Sequence, residues 1–203
     1  MSGENIFKLT HRRVACTNSR FEVCLDSLEE PGGTRVDDFL VVRPRVHTSE
    51  NVAGVLVLPE SGGRIGLMHG HRHHLDAFVW QAPAGFIDDG ETSTDSALRE
   101  LAEETGLACR AENLLPLGTM LPDAGLIQAR VALFTARDVW PIGAEDGRGS
   151  VEPGMGNLVW FSPDDFFALL AGEHNIGGTT LVAGFRYLAH FSSEETPAPA
   201  KRW

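Results

Sequence analysis

Apolar and polar residues alternate through the first part of the chain, as they do in half-buried β-strands. Apolar residues of the segment 21–28 fall on one strand face, and the segment 34–43 carries a second apolar set. The sequence Glu-Pro-Gly-Gly at 30–33 separates the two segments and is typical of a turn. The pattern predicts an antiparallel hairpin within residues 1–47.

Five short apolar runs further along the chain predict additional strands. These runs lie at 52–58, 64–68, 78–80, 130–134 and 158–161. The residues that follow helical spacing lie instead at 92–105, 163–171 and 179–190. Strands interrupted by one central helix and closed by two C-terminal helices indicate an α+β fold, in which helices pack on a mixed sheet. The Pro- and Glu-containing end at 192–203 is expected to be a flexible tail.

Composition and charge narrow the classes of partner. The 203-residue chain has a formal net charge of -11, which argues against binding a nucleic acid because a polyanion requires a basic face. No apolar run approaches the roughly 20 residues of a membrane-spanning helix, and the first residues lack the apolar segment of a secretion signal. The three cysteines have no CxxC spacing. We therefore expect a cytoplasmic protein without disulfides and without a membrane partner.

The helix predicted at 92–105 carries three glutamates on one face. Glu100, Glu103 and Glu104 stand at i, i+3 and i+4, within roughly 100° of arc around the helix axis. Like charges at these spacings repel one another by a few tenths of a kcal/mol per pair, and no lysine is interleaved among them. A solvated acidic face is one interpretation. Convergence on a hard divalent cation, Mg²⁺ or Mn²⁺, is the other.

The residues before this helix favour the second interpretation. Gly85 and Gly90 frame a turn that lets main-chain carbonyls approach a cation, and Glu91 and Arg99 are spaced to form an ion pair between turn and helix. The whole segment matches the Nudix box, G-x5-E-x7-R-E-U-x-E-E-x-G-U with U aliphatic. Its nine constrained positions are occupied by Gly85, Glu91, Arg99, Glu100, Leu101, Glu103, Glu104, Gly106 and Leu107. The chain therefore resembles the Nudix hydrolases, which use divalent cations to hydrolyse nucleoside diphosphates linked to another moiety.

The resemblance implies a role for each position of the box. Glu100 and Glu104 are implied to be metal ligands, Glu103 a ligand or near-ligand, and the carbonyl of Ala84 a further ligand. The other positions are implied to be structural: Gly85, Glu91, Arg99 and Gly106.

Residues outside the box are similar to one branch of that family. The sequence Trp-Gln-Ala-Pro-Ala-Gly at 80–85 resembles the lead-in of the ADP-ribose and nucleotide-sugar pyrophosphatases. That resemblance implies a Nudix fold, a mixed sheet sandwiched between helices, over residues 48–191. It also implies that residues 1–47 form a small antiparallel sheet that builds a homodimer. Arg72 and Gln81 are candidate substrate-binding residues, because a guanidinium can hold a phosphate bidentately.

The same branch implies a general base on a loop before the last strand. Glu152 holds the nearest matching position in the segment 143–156, and Glu145 and Glu103 are the alternatives. The expected reaction is metal-dependent hydrolysis of ADP-ribose or a nucleotide sugar to a nucleoside monophosphate and a sugar phosphate. The alternative function is a Nudix-fold module that binds a nucleotide sugar without hydrolysing it.

The chain departs from the branch at three places. Gln81 stands where the branch usually has Glu, and Ala129 stands where many relatives carry an acidic residue. The segment 69–74 contains four histidines, which we interpret either as a polar loop end near the substrate or as a separate transition-metal site. A metal-binding protein with an incidental acidic helix is therefore a third functional class.

Overall fold

The computed structural model describes residues 7–143 and 156–191. Within these ranges the chain forms a three-stranded sheet, a seven-stranded sheet, a two-stranded ladder and three α-helices. None of those helices is long and apolar enough to cross a membrane. The tail predicted at 192–203 lies outside the described residues.

The N-terminal sheet contains β1 (Lys8–Thr17), β2 (Phe21–Glu29) and β3 (Arg35–Pro44), which are antiparallel in the order β1-β2-β3. The predicted hairpin corresponds to β2 and β3, whose register pairs Leu25 with Leu40. The small antiparallel sheet that the resemblance implied is confirmed, and it contains one strand, β1, that the apolar pattern did not indicate. Nearly every side chain of β1 is exposed, so its sequence has no alternating apolar face.

The remaining elements follow in chain order. They are β4 (Val52–Ser61), β5 (Arg64–Arg72), β6 (Ala77–Gln81), β7 (Ala84–Phe86), α1 (Ser93–Thr105), β8 (Leu107–Ala108), β9 (Leu114–Met120), β10 (Arg130–Ala136), β11 (Trp140–Pro141), β12 (Leu158–Phe161), α2 (Pro163–Ala171) and α3 (Gly178–Phe191). All five strand predictions and all three helix predictions beyond the N-terminal sheet are confirmed. The strands β7, β8, β9 and β11 were not predicted. Three of them have only two or three residues, and β9 contains Pro116 and Gly118, which mask the strand pattern.

The central sheet has the order β12-β5-β4-β10-β9, with β6 beside β5 and β7 beside β4. β4 and β10 are parallel and the other neighbours are antiparallel, so the sheet is mixed, as predicted. β4 and β5 pair only next to their turn, where Glu60 lies opposite Ile65 and Ser61 opposite Arg64. Beyond that point β4 takes β7 as its antiparallel partner and β5 takes β6.

Helices cover both faces of this sheet. Successive residues of β4 contribute to opposite cores, since side chains alternate along a strand. Val55 belongs to the core that includes Leu101 of α1, whereas Leu56 belongs to the core that includes Phe166 of α2. The result is a three-layer α/β/α arrangement of α+β class.

The N-terminal sheet is joined to the central sheet by main-chain hydrogen bonds. The Val42 N–H of β3 donates to the Leu126 carbonyl, and the Gln128 N–H donates to the Val42 carbonyl, each with an N···O distance of 2.9 Å. Leu126 and Gln128 lie on the loop 121–129, which connects β9 to β10. This loop therefore lies along the edge of β3 and brings the two sheets together.

Candidate active site

Helix α1 is held at both ends by its own residues. The Thr92 hydroxyl accepts the Asp95 N–H at 3.2 Å, and the Asp95 carboxylate accepts the Thr92 N–H at 3.3 Å, which is a capping box. At the other end Gly106 adopts a left-handed conformation with φ of 67°. These caps set the register of the helix and with it the direction of its glutamates.

Glu100 lies against Gly85. Its side chain is buried, with 9% relative exposure, and a Cβ atom built on residue 85 would overlap its carboxylate. Burial raises the pKa of Glu100, and the hydrogen bond from Arg99 opposes that effect. Glycine at position 85 is thus required for this carboxylate to approach the main chain.

Arg99 binds the segment before the helix as well as the glutamates of the helix. Its Nε donates to Glu91 Oε1 at 3.0 Å and its Nη2 to Glu91 Oε2 at 2.9 Å. Its Nη2 also donates to the Phe86 carbonyl at 3.0 Å. The hydrogen bonds from Arg99 and from Ser96 lower the pKa of Glu91 to about 2, so this carboxylate stays ionised and ties the turn to the helix.

The three glutamates of the helix face two different partners. Arg99 Nη1 donates to Glu100 at 2.7 Å and to Glu103 at 3.2 Å, whereas Glu104 accepts the Ala84 N–H at 2.9 Å. Glu100 and Glu104 therefore lie beside Gly85 and Ala84, and the half-exposed Glu103 turns toward Arg99.

Arg99 Nη1 donates to both Glu100 and Glu103, so these two carboxylates lie near each other, and the convergence of all three carboxylates on one cation stays a prediction. In the described part of the chain, no three His, Cys, Asp or Glu side chains are grouped so that they could hold a metal. Two carboxylates and the Ala84 carbonyl still form a set of hard oxygen donors. That set fits Mg²⁺, which commonly takes one or two carboxylates and keeps several waters.

An apolar cavity of about 280 Å³ opens beside these residues. Strands of both sheets form its walls, together with the loop 121–129 and the start of α3. The lining residues include Phe21, Pro44, Ala53, Gly54, Ala84, Gly85, Phe86, Ile127, Ala129 and Thr179. The position where relatives were expected to carry an acid is thus a buried alanine in the cavity wall.

The predicted substrate-binding residues and general bases do not line this cavity within the described part of the chain. Arg72 Nε donates to Gln81 Oε1 at 2.7 Å, so the two candidate substrate-binding residues contact each other. Neither is among the described residues that line the cavity. The candidate bases Glu145 and Glu152 lie outside the described residues.

Two of the four histidines at 69–74, His69 and His71, pack with aromatic side chains. His69 stacks on Trp80 with ring centroids 4.2 Å apart, and His71 lies 5.4 Å from Phe78 and 3.3 Å from a carboxylate oxygen of Asp76. All four histidines are described, and they do not assemble with other ligating side chains of the described residues into a metal-sized group. Their arrangement is that of an aromatic surface rather than of a metal centre.

Sequence analysis missed two groups of residues at this site. Phe21 was recognised only as part of an N-terminal strand, Pro44 lay just beyond the segment predicted at 34–43, and Arg20 and Asp88 were not considered. Their roles depend on how the N-terminal sheet packs against the rest of the chain, and no local sequence pattern predicts that packing.

Comparison with known proteins agrees with the resemblance that the box suggested. A model of the NUDIX domain family matches residues 48–181. A CMP-5'-(N-acetyl-N-hydroxy-3-aminopropyl)phosphonate hydrolase of Streptomyces rubellomurinus is 33% identical over 120 residues, which are 59% of this chain and 54% of that protein. An ADP-ribose pyrophosphatase of Mycobacterium tuberculosis is 31% identical over 105 residues, which are 51% of this chain and 47% of that protein.

Shorter similarities reach other members. An RNA pyrophosphohydrolase of Dinoroseobacter shibae is 42% identical over 60 residues, 30% of this chain and 36% of that protein. The chain thus spans about half the length, or less, of these relatives. A crystal structure of an ADP compounds hydrolase superposes with a TM-score of 0.78 at 18% identity, covering 96% of this chain and 99% of that one. This last likeness establishes the fold.

The contact between Gly85 and Glu100 yields a test of the site. We expect Gly85→Ala to displace the Glu100 carboxylate and to weaken Mn²⁺ binding at least tenfold, on the scale typical of residues that orient metal ligands. Isothermal titration with Mn²⁺ measures the effect. Gly32→Ala is the matched control, since a Cβ at Gly32 meets no atom within 4 Å. Equal Mn²⁺ affinity in both variants would remove Glu100 from the metal site.

Proposed function

The chain belongs to the NUDIX domain family, and on that premise we propose that it is a pyrophosphatase for a nucleoside diphosphate linked to another moiety. The substrate class that we propose is ADP-ribose or a nucleotide sugar, cleaved to a nucleoside monophosphate and a sugar phosphate. The observation that carries the proposal is the position of Glu100 and Glu104 beside Gly85 and Ala84, directly next to an apolar cavity.

The surroundings of the cavity and of the two glutamates suggest which part of the substrate each would bind. The apolar cavity, which Phe21 and Phe86 help to line, suits the base or sugar of a small substrate, because apolar and aromatic walls bury most of such a ligand. Glu100, Glu104 and the Ala84 carbonyl hold Mg²⁺ or Mn²⁺. When bound, the cation supplies the positive charge that offsets the negative charge of the pyrophosphate.

The remaining residues orient a metal ligand, contact the substrate and accept the proton of the attacking water. Arg99 fixes Glu100 by its hydrogen bond at 2.7 Å, so that the ligand is oriented before substrate arrives. Arg72 is proposed to contact a phosphate. Glu152 is proposed to take the proton of the attacking water, because a carboxylate close to that water can serve as general base.

A small substrate is favoured over RNA. The similarity to two RNA pyrophosphohydrolases spans 60 and 66 residues, 30% of this chain in each case, and the net charge of -11 opposes the approach of a long polyanion. The assay therefore compares ADP-ribose and nucleotide sugars with a 5'-triphosphorylated RNA, each with Mg²⁺ and with Mn²⁺. Turnover of the RNA alone would contradict the proposal. Binding of a nucleotide sugar without hydrolysis of any compound would identify a sensor module instead.

Glu104→Gln and Glu100→Gln test the metal ligands. We expect each substitution to abolish metal-dependent hydrolysis, since an amide replaces a charged oxygen donor, while the far-ultraviolet circular dichroism spectrum stays unchanged. Glu112→Gln is the control, because Glu112 is an exposed residue outside α1. Near-normal rates in both box variants would end the catalytic interpretation of the helix.

Glu152→Gln tests the general base. Loss of positioned base catalysis typically lowers kcat by about 10²- to 10⁴-fold, and we expect KM and metal affinity to be preserved. Restoration of the rate at high Mg²⁺ would instead make Glu152 a metal ligand. A decrease below about tenfold would transfer the role to Glu145 or Glu103.

The N-terminal sheet supports a further proposal, that the protein is a homodimer. Large apolar side chains of β1 and β3 are exposed, with relative exposures of 47% for Leu9, 49% for Val14, 42% for Phe39 and 44% for Leu40. Exposed apolar side chains on these two strands of a small sheet favour burial against a second copy. We expect a dimer in light scattering at micromolar concentration, and we expect Leu40→Glu to produce monomers. A monomeric parent protein would contradict the proposal.

A further inference from the structure

The turn between β1 and β2 touches the segment that precedes helix α1. Arg20 Nη1 lies 3.0 Å from Asp88 Oδ1, and the Arg20 guanidinium carbon lies 5.3 Å from the centre of the Phe86 ring. The neighbouring Phe21 meets the same ring edge-on, with centroids 5.3 Å apart. One turn of the N-terminal sheet thus contacts two residues of the box.

This turn is built to present Arg20 rigidly. The Asn18 side chain accepts the N–H groups of Arg20 and Phe21 at 2.9 Å and 2.7 Å. The Arg45 N–H donates to the Arg20 carbonyl at 2.9 Å, and the Arg45 guanidinium donates to the Asn18 carbonyl at 3.2 Å. Side-chain-to-main-chain bonds of this type restrict a turn to one conformation.

Both residues that Arg20 contacts, Phe86 and Asp88, are also contacted by Arg99. The second carboxylate oxygen of Asp88 lies 3.7 Å from Arg99 Nη2, and the carbonyl of Phe86 accepts a hydrogen bond from the same nitrogen. Arg99 in turn bonds Glu100. A continuous set of contacts therefore leads from the N-terminal sheet to a carboxylate of the active site.

We propose that Arg20 is a positioning residue of the active site. Through Asp88 and the Phe86 ring it holds residues 86–91 against the N-terminal sheet, and it thereby fixes the Arg99 that orients Glu100. The Arg20–Asp88 pair is about half exposed, and such a pair alone contributes little to stability. Its role is to restrict one segment, in combination with the cation–π contact. As far as catalysis is concerned, the inference rests on the proposed function.

The main test compares Arg20→Met with Arg35→Met. Arg35 belongs to the same sheet, is 73% exposed and lies 3.8 Å from Glu29, so its loss removes the same charge far from the box. We expect Arg20→Met to raise the Mn²⁺ dissociation constant roughly three- to tenfold and to lower kcat by a similar factor, within the range of mutations that act through coupled contacts. Arg20→Lys should recover part of the loss, because it keeps the charge opposite Asp88 but not the planar stack.

Hydrogen exchange reports on the same segment without substrate or metal. The Ile87 N–H donates to the Ala53 carbonyl, the Asp88 N–H to Glu91, and the Glu91 N–H to the Asp88 carbonyl. We expect these amides to exchange faster in Arg20→Met and at the parental rate in Arg35→Met. The amides of the central strand β4 serve as the internal reference.

A double-mutant cycle that combines Arg20→Met with Asp88→Asn tests whether Arg20 affects Mn²⁺ binding through Asp88. If Arg20 acts through Asp88, the two substitutions are non-additive in Mn²⁺ affinity. Additive effects, or an increase in KM alone, would mean that Arg20 contacts the substrate directly and would overturn the inference. Equal exchange rates in Arg20→Met and Arg35→Met would also overturn it. Should the parent protein hydrolyse none of the compounds, the proposed function fails, and hydrogen exchange still decides the role of Arg20.

Discussion

One guanidinium group holds the candidate active site together. Arg99 donates to both oxygens of Glu91, to the carbonyl of Phe86, and to Glu100 and Glu103. Only arginine has five N–H donors in a rigid plane, so a lysine at this position could not serve these acceptors together. Without that group Glu100 would be a buried carboxylate with no opposite charge, an arrangement that is strongly unfavourable.

The parts of the site that could be predicted from sequence are those that the helix itself determines. The segment from Gly85 to Leu107 contains the whole box, and helical geometry sets which of its residues share a face. The capping residues, the limits of α1 and the pairing of Glu91 with Arg99 all follow from spacings of a few residues. Such local relations do not depend on how the rest of the chain packs.

The parts that could not be predicted depend on distant contacts or on the choice of side-chain conformer. The predicted role of Glu103 beside Glu100 and Glu104 depends on such a conformer, because Arg99 lies one helical turn before Glu103 and donates to its carboxylate at 3.2 Å. The cavity walls contributed by Phe21 and Pro44 come from more than forty residues before the box. They are held there in part by the hydrogen bonds of β3 to the loop 121–129, a pairing between segments more than eighty residues apart that no periodicity reveals.

That pairing at the edge of β3 limits where this chain can be truncated. The segment that matches the family, 48–181, contains the catalytic box but neither Phe21 nor Pro44. A chain begun at residue 48 would keep the carboxylates and lose one side of the cavity, along with the strand edge to which the loop is bonded. The N-terminal sheet and the loop 121–129 thus form a single structural unit on one side of the cavity. Grafting a sheet from another family member would require its matching loop as well.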